Sequence, residues 1–270
     1  MKLRELFFKA KKELDDVRTI EDIYWLIEDI YHISKGELAM HYEDEIDDFV
    51  FFSLFERLKK EPIQYVLGYG YFLNNKFVVN NDVLIPRNET EELVVHLLKI
   101  IKEYKYKTIL DIGTGSGAIA ISLKMENKDI VVEGVDISTK ALDIAHINKE
   151  KHNVDVKLYY SDVYENVTSK YDVIVSNPPY IDEDEYVMDR VKENEPHIAL
   201  YAKNKGMEVY EKIITGAINH INKNGLLAFE IDPLRKKDIT SLANKYLDVK
   251  DLFFVKDING YSRFCFIFLK

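Results

Sequence analysis

The chain has 270 residues, 47% of them hydrophobic, which is enough to bury a sizeable core in one large domain or two smaller ones. Its formal net charge of -10 at pH 7 argues against generic DNA or RNA binding, because such binding needs Lys and Arg to replace phosphate counterions. The first residues are charged and no apolar run reaches about 18 residues, which predicts a cytoplasmic protein with no membrane partner.

The amino-terminal segment, residues 1–62, is predicted to be a small helical domain. Its apolar residues recur three and four positions apart, as in Leu3, Leu6 and Phe7, and no turn-forming sequence interrupts this spacing except around Gly36. Acidic residues are dense in the second half of the segment. Their density fits a solvated helix face better than a docking patch for a basic partner.

Residues 63–87 are predicted to be a β-hairpin linker. Aromatic and β-branched residues dominate Tyr65–Leu73 and Lys76–Leu84, and the turn-forming pair Asn74-Asn75 lies between these two runs. Pro86 closes the hairpin, because proline cannot donate to a further strand pairing.

The remaining residues, 88–270, are predicted to form an α/β domain. Short β-rich runs alternate with helical stretches, a pattern typical of a parallel sheet wrapped by helices. The pair Asn259-Gly260 joins the last two strands and is a strong hairpin signal, so the last strand should be antiparallel. The main predicted elements are helix Glu89–Lys102, strand Thr108–Ile112, helix Ala118–Lys124, strand Ile130–Asp136, helix Thr139–His152, strand Val156–Asp162, strand Tyr171–Ser176, helix Gly206–Asn222, strand Leu226–Ile231, helix Pro233–Tyr246 and last strand Tyr261–Leu269.

A glycine-rich turn, Asp111–Ala118, follows the first strand of this domain and opens a helix. In that context backbone N–H groups approach a nucleotide ligand closely. The Gly-x-Gly-x-x-Ala spacing also fits the dinucleotide fingerprint, so an NAD enzyme competes with other nucleotide-binding proteins. Asp136 ends the next strand, where a carboxylate would bind ribose hydroxyls in either case. Asp162 adds a polar group at the same edge of the sheet, where adenine would lie.

The motif Asn177-Pro178-Pro179-Tyr180 directly follows the fourth strand and separates these alternatives. Two prolines fix the backbone and remove two N–H donors, so carbonyl oxygens near Pro178 can face a ligand without local partners. Together with the Asn177 carbonyl they match the two N–H bonds of an –NH2 group, and Tyr180 offers a flat face to the group that carries it. The seven histidines show no metal-ligand spacing, so no metal site is predicted.

With these motifs the chain resembles the release factor glutamine methyltransferases of translation termination, nearly end to end. The similar segments are Pro62–Gly68, Val83–Glu91, Asp111–Gly117, Asn177–Tyr180, Glu195-Pro196, Ala199-Leu200 and Phe229–Ile231. The resemblance implies a class I methyltransferase domain with a Rossmann-like, mostly parallel sheet, an amino-terminal helical domain that docks the substrate protein, and S-adenosylmethionine as cofactor. It also implies that release factors are the partners and that the glutamine of their Gly-Gly-Gln motif is methylated on its amide nitrogen.

The resemblance further implies roles for individual residues. The methionine part of the cofactor would contact Gly113, Thr114, Gly115, Ser116 and Gly117, its ribose would contact Asp136, and its adenine would lie between Asp162 and Val163. The substrate glutamine would be held by Asn177, Pro178, Pro179 and Tyr180, with Asn177, Pro178 and Tyr180 catalytic and Asn177 also next to the cofactor. The chain departs from the family pattern at Asn88, at Ala202-Lys203 and at Asp232, and these departures concern the geometry of local loops and not the reaction.

Several rival interpretations stay open at the level of sequence. Arg87–Glu91 looks more like the release-factor branch than the branch that methylates a ribosomal-protein glutamine. An enzyme that methylates the exocyclic amino group of a nucleic-acid base needs phosphate contacts and a flipped base, against which the acidic amino-terminal segment argues. An NAD oxidoreductase, or a nucleotide-binding module without catalytic activity, would have no use for Asn177–Tyr180.

Overall fold

The structure is a computed structural model and describes residues 1–14, 17–182, 184–186 and 188–270. Contacts divide the chain into two compact units, Met1–Tyr69 with Met188–Asn194, and Gly70–Val187 with Glu195–Lys270. Among the described residues, no helix is both long and apolar enough to span a membrane.

Helices and strands alternate through most of the second unit. The helices are α1 (Leu3–Glu13), α2 (Val17–Tyr31), α3 (Phe49–Leu58), α4 (Ile63–Leu67), α5 (Asn88–Tyr104), α6 (Ala118–Glu126), α7 (Thr139–His152), α8 (Asp189–Asn194), α9 (His197–Leu200), α10 (Lys203–Gly206), α11 (Glu208–His220) and α12 (Lys236–Tyr246). The strands are β1 (Tyr69–Phe72), β2 (Asn75–Val78), β3 (Thr108–Ile112), β4 (Val131–Asp136), β5 (Val156–Tyr160), β6 (Tyr171–Ser176), β7 (Ile221–Glu230), β8 (Val249–Lys256) and β9 (Ser262–Leu269).

The helical spacing predicted for the amino-terminal region is confirmed. In α1 the buried residues are Leu3, Leu6, Phe7 and Ala10, which recur three and four positions apart and therefore share one face. This face joins a single apolar cluster with residues of α2, α3 and α4. The first unit thus has a hydrophobic core of its own.

The first strand predicted in the linker, Tyr65–Leu73, is wrong over its first residues. Tyr65 is buried on α4, and Gly68, at φ 77°, ends that helix in the left-handed conformation that glycine adopts without strain. Burial of one helical face therefore overrides the β preference of these side chains. The turn between β1 and β2 is formed by Leu73 and Asn74, at φ 47° and 61°, one residue earlier than predicted.

The second predicted strand of the linker, Lys76–Leu84, is also too long, because β2 ends at Val78. The side chain of Asn80 accepts a hydrogen bond from the Asp82 N–H at 3.0 Å, and its carbonyl accepts one from the Val83 N–H at 3.2 Å. Such local turns compete with strand pairing. Residues 82–84 consequently form a loop.

The second unit contains the predicted mixed sheet. Among the described residues, seven strands pair in the order β5-β4-β3-β6-β7-β9-β8. The pairs from β5 to β7 are parallel, and β9 runs antiparallel to both of its neighbours. Neighbouring residues on a strand face opposite sides of the sheet, so Ile109 and Leu110 of β3 belong to different apolar clusters. One cluster includes residues of α5, α6 and α7, and the other includes residues of α11 and α12.

The register of the parallel strands determines which loops meet. Ile112, the last residue of β3, lies beside Val135 of β4 and beside Ser176 of β6. The chain therefore leaves β3, β4 and β6 at the same edge of the sheet. The chain crosses from β3 to β4 on one side, whereas β6 lies on the other, and ligands bind at such a reversal of strand order.

Candidate active site

A cavity of about 280 Å³ opens at this edge of the sheet. Its volume suits a small-molecule ligand or the reactive part of a larger one. The predicted site residues that line it are Gly113, Gly115, Asp136, Asp162, Val163, Asn177, Pro178 and Pro179. The predicted site residues outside its lining are Thr114, Ser116, Gly117 and Tyr180. The structure thus brings together the glycine-rich turn, the Asp136 carboxylate at the end of β4, the Asp162 carboxylate in the loop after β5, and the Asn-Pro-Pro motif.

The glycines of the turn Gly113–Gly117 serve different purposes. All three have positive φ, between 56° and 82°. A Cβ added at Gly113 would meet nothing within 4 Å, so the backbone there borders open space that a ligand can fill. A Cβ at Gly117 would lie 2.7 Å from the Ile121 side chain, so Gly117 permits the close start of α6.

Thr114 and Ser116 are buried and support the turn from inside the protein. The Thr114 hydroxyl donates to the Asp111 carboxylate at 2.7 Å, and the Asn148 side chain donates to the Ser116 carbonyl at 2.9 Å. Burial raises the pKa of Asp111 to about 7. Both predicted residues therefore hold the shape of the turn, and neither side chain lines the cavity.

Asp136 connects the end of β4 to the glycine turn. One carboxylate oxygen accepts the Gly115 N–H at 2.8 Å and the other accepts the Ser138 N–H at 2.8 Å. Burial raises the pKa of Asp136, although these two backbone bonds favour its ionised form. Two bonds fix the orientation of the carboxylate, and each oxygen keeps a further lone pair for a ligand hydroxyl.

Asp162 and Val163 follow β5 and line the cavity. Asp162 pairs with Lys212 of α11 at 3.4 Å, and both residues line the cavity. Val163 has φ 52°, a conformation in which a β-branched residue is strained, and its carbonyl accepts the Ser161 hydroxyl at 3.0 Å. The surrounding structure thus holds the Val163 backbone in a strained conformation at the cavity wall.

The Asn177 side chain is held by buried polar groups of other elements. Its Nδ2 donates to the hydroxyl of Thr90, in the first turn of α5, at 3.0 Å. The Thr90 hydroxyl in turn donates to the Glu230 carboxylate, at the end of β7, at 2.6 Å. Burial raises the pKa of Glu230 to about 7. Ser176 anchors the start of the motif, because its hydroxyl donates to the Ile112 carbonyl at 2.6 Å.

Tyr180 packs away from the cavity. Its half-buried ring contacts the apolar cluster that includes residues of α11 and α12, and burial raises the pKa of its hydroxyl to about 12. Its neighbour Ile181 makes two backbone hydrogen bonds at the end of α9, accepting from the Ala202 N–H and donating to the Leu200 carbonyl. Tyr180 therefore stabilises the backbone that carries the two prolines.

A partly buried ion pair links the linker to the segment that follows the motif. Glu195 is buried, and its carboxylate pairs with the Arg87 guanidinium at 2.5 Å and accepts the Ile85 N–H at 3.3 Å. The following Pro196 lines the cavity. Removing Arg87 would leave the buried Glu195 carboxylate without its counterion, so this pair constrains the cavity wall.

Sequence reasoning missed part of the cavity lining. The missed residues are Asp82, Val83, Leu84, Ile112, Ile137, Ser138, Ala141, Ser161, Ser176, Pro196, Ile198, Ala199, Tyr201, Ala202, Glu208, Val209 and Lys212. Several of these residues lie inside or directly beside segments that carry the family resemblance, so their place in those segments could have indicated that they line the site. Nothing in the sequence indicated Lys212, because a lysine on an amphipathic helix is ordinarily solvated.

The three departures from the family pattern are accommodated locally. Asn88 is the first residue of α5, and Ala202 has an extended backbone, with φ -135°. The left-handed residues of the following turn are instead Asn204, Lys205 and Gly206. Asp232 caps a short 3₁₀ turn by accepting the Leu234 N–H at 2.9 Å.

Gly206→Ala is expected to lower the free energy of unfolding by about 1–3 kcal/mol more than Gly260→Ala. A Cβ at Gly206 would lie 2.1 Å from the Tyr180 carbonyl oxygen, so backbone must move. Gly260 has a similar φ of 86° against 77°, but a Cβ there meets nothing within 4 Å. The control therefore measures backbone strain alone. Urea unfolding of both variants gives the difference, and equal losses would contradict the close approach of Gly206 to Tyr180.

Several known proteins are similar to this chain in sequence or in fold. The Methyltransferase small domain family matches residues 89–197. The chain is 37% identical to the release factor glutamine methyltransferase of Staphylococcus aureus over 249 residues, 88% of each chain. It is 42% identical to that of Lactococcus lactis subsp. lactis over 207 residues, 76% of each chain. A solved T. thermophilus 16S rRNA methyltransferase in complex with AdoMet and guanosine shares the fold, with a TM-score of 0.54 and 16% identity over 75% of this chain and 49% of that one. Because it is more than one-third identical to such relatives across most of its length, the chain belongs to the release factor glutamine methyltransferase family.

Proposed function

We propose that this protein transfers a methyl group from S-adenosylmethionine to the side-chain amide nitrogen of the glutamine in the Gly-Gly-Gln motif of peptide chain release factors. Family membership supports the reaction. The observation that carries the proposal is that the glycine turn and Asn177-Pro178 line the same cavity. A donor held by the turn and an amide held by the motif would therefore lie next to each other.

S-adenosylmethionine is the methyl donor, and when bound it supplies an electrophilic methyl group on a sulfonium. The open space beside Gly113 fits a ligand that approaches the backbone closely. We assign the methionine part to Gly113–Gly117, with Gly113 and Gly115 in direct contact and Thr114 and Ser116 holding the turn from inside. We assign the ribose to Asp136 and the adenine to Asp162 and Val163. Lys212, paired with Asp162, would close the adenine end.

The residues of the motif have to compensate for a weak nucleophile. An amide nitrogen shares its lone pair with the carbonyl group, so orientation matters more than a strong base. The Asn177 Oδ1 and the Pro178 carbonyl can accept the two N–H bonds of the glutamine and direct its nitrogen at the methyl carbon. Pro179 fixes the backbone, and Tyr180 stabilises it from the core side. Positioning of this kind contributes about 7 kcal/mol or more to lowering a barrier.

The chemical step is a single displacement. The nitrogen forms a bond to the methyl carbon, the carbon–sulfur bond breaks with its electron pair left on sulfur, and one amide proton then leaves to water. The two acceptors on Asn177 and Pro178 favour this outcome, because they draw the N–H bonds toward them while positive charge develops on nitrogen.

We further propose that residues 1–62 dock the release factor, that residues 63–87 link this region to residues 88–270, and that no nucleic acid is bound in a sequence-specific manner. Large apolar side chains of the first unit are exposed, among them Met40 at 81% and Phe49 at 79%, and would suit a protein partner. The net charge of -10 disfavours a phosphate backbone as the partner. The cytoplasmic location stays a prediction from sequence.

Methyl transfer from labelled S-adenosylmethionine to purified release factors tests this function. Mass spectrometry should place the label on the glutamine of the Gly-Gly-Gln motif, and a release factor with asparagine at that position should stay unlabelled. Adding NAD(H) should not compete, whereas the demethylated product should. Label on another residue or on copurified RNA, or tight NAD(H) binding, would contradict the proposal.

A further inference from the structure

The half-buried Asn177 side chain ends a chain of two hydrogen bonds, a partly buried one and a buried one, that the reaction described above does not use. Its Nδ2 donates to the Thr90 hydroxyl at 3.0 Å, and that hydroxyl donates to the Glu230 carboxylate at 2.6 Å. Thr90 is 5% exposed and Glu230 is 3% exposed, so water does not replace the bond between these two side chains. Three separate elements, α5, β7 and the loop after β6, supply the three groups.

We propose that Thr90 and Glu230 are positioning residues that fix which way the Asn177 side-chain amide faces, with its oxygen toward the acceptor nitrogen. The inference rests on the proposed function, because the direction matters only if Asn177 must accept a hydrogen bond. A side-chain amide has nearly the same shape after a half-turn that exchanges its oxygen and its nitrogen. Packing alone therefore selects weakly between the two directions, and hydrogen bonding has to select.

The selection follows from counting donors and acceptors. An ionised carboxylate only accepts, and a hydroxyl has one proton to donate. Once the Thr90 proton is committed to Glu230, the Thr90 oxygen presents only lone pairs to Asn177. The –NH2 end of Asn177 must then face Thr90, and Oδ1 must face the cavity. The reversed amide would place two oxygens against each other at Thr90 and an N–H against the N–H of the substrate.

The charge of Glu230 therefore determines which way the Asn177 side-chain amide faces. Burial raises the pKa of Glu230 to about 7, with opposing contributions from neighbouring charges. The charged and titratable groups that face it or its backbone are Arg263 of β9, Glu89 of α5, Arg87 before α5, Tyr180 after β6 and Tyr210 of α11. Below this pKa, protonated Glu230 becomes a donor to Thr90. The Thr90 proton is then free to bond the Asn177 oxygen, and the reversed amide is favoured.

Substitutions at Thr90 test the hydroxyl itself. Thr90→Val has nearly the same shape without the hydroxyl, and single-turnover methyl transfer to a release factor should fall about 10-fold to 100-fold. Thr90→Ser keeps the hydroxyl and should stay within a few-fold of the wild type. The affinity for S-adenosylmethionine should be unchanged in both. Equal rates in the two variants would overturn the proposal.

Glu230→Gln tests the charge, with the pH profile as its signature. At saturating S-adenosylmethionine, the wild-type transfer rate should fall as the pH drops through about 7. Glu230→Gln should be slow and nearly independent of pH, because an amide can donate to Thr90 at every pH. If Glu230 had only a structural role, Glu230→Gln would lower stability, and its transfer rate would still fall as the pH drops through about 7. Asp111, whose pKa is also about 7, is still present in this variant. A transfer rate that still falls in Glu230→Gln would therefore overturn the assignment of the pH dependence to Glu230.

A measurement without substrate separates this inference from the proposed function. The Asn177 side-chain amide signals in a ¹⁵N NMR spectrum, identified by their loss in Asn177→Ala, should shift with a midpoint near pH 7 in the wild type. In Glu230→Gln these Asn177 signals should not shift with pH. If Glu230→Gln fails to fold, Thr90→Val takes its place, and its Asn177 signals should not shift with pH either. If the wild type methylates no release factor, the proposed function fails, whereas the same titration in wild type and variant would refute the fixed direction of Asn177.

Discussion

Asn177→Ala should lower the rate of methyl transfer by about 10²–10³ while S-adenosylmethionine still binds within a few-fold of the wild-type affinity. The substitution removes one of two preorganised acceptors for the glutamine amide. It leaves Asp136 and the glycine turn, to which we assign most of the cofactor contacts, untouched. Single-turnover transfer to a release factor, measured alongside binding isotherms, separates the chemical step from binding. Near-normal transfer would mean that Asn177 does not orient the acceptor.

Asn177→Asp is a sharper test of the direction of the side-chain amide, because it keeps the shape of the side chain and an acceptor. The new carboxylate would lose the N–H that Thr90 accepts, and it would face a hydroxyl whose single proton is already committed to Glu230. Repulsion by the Thr90 lone pairs and by the ionised Glu230 should displace the new carboxylate from this position. We therefore expect a loss as large as that of Asn177→Ala. Activity close to wild type would show that any acceptor suffices, and that the direction of the amide is unimportant.

Asp136→Ala should weaken S-adenosylmethionine binding by about 1.5–3 kcal/mol, a loss of roughly 10-fold to 150-fold in affinity. The ribose hydroxyls lose a charged acceptor. In addition, the N–H groups of Gly115 and Ser138 lose the oxygens that accept them, which loosens the glycine turn. Asp136→Asn keeps one acceptor and should fall between the wild type and Asp136→Ala.

Titration calorimetry measures this loss, with thermal unfolding to establish that each variant is folded. Asp143→Ala, on the exposed face of α7, removes a carboxylate of the same unit and should bind S-adenosylmethionine as the wild type does. Unchanged affinity in a folded Asp136→Ala would remove Asp136 from the site. Equal losses in both variants would show that net charge, and not the ribose contact, controls binding.

The sheet was predictable because its signals are local. The strands from Thr108 to Ser176 are short β-rich runs, and the antiparallel pairing of β8 with β9 follows from the hairpin signal Asn259-Gly260. The start of β7 was not predicted, because Ile221 lies inside the predicted helix Gly206–Asn222. Parallel pairing places the carboxyl ends of the parallel strands at one edge of the sheet. The cavity could therefore be predicted from residues that follow or end strands, such as Asp136 and Asn177. The linker was less predictable, because Tyr65 has a β-forming side chain that helical burial overrides.

The direction of individual side chains could not be predicted. Thr114 and Ser116 stand in the same turn as Gly113 and Gly115, yet they are buried and face the protein interior. Spacing along a sequence does not say which side of a loop a side chain faces. The partners of Asn177 were also hidden, since Thr90 and Glu230 lie far from it in sequence and only the pairing of β6 with β7 and the packing of α5 bring them near.

The burial of Glu230 has a cost in folding free energy as well as a use. Its pKa of about 7 in the folded protein exceeds the 4.5 of a solvated glutamate, so the folded chain binds this proton more tightly than the unfolded chain does. The free energy of unfolding accordingly falls as the pH rises from about 4.5 to 7, by on the order of 3 kcal/mol for this one group. Above pH 7, where the ionised form directs Asn177, the protein works in its less stable state, and it retains the charge at the expense of the stability that a neutral residue would provide.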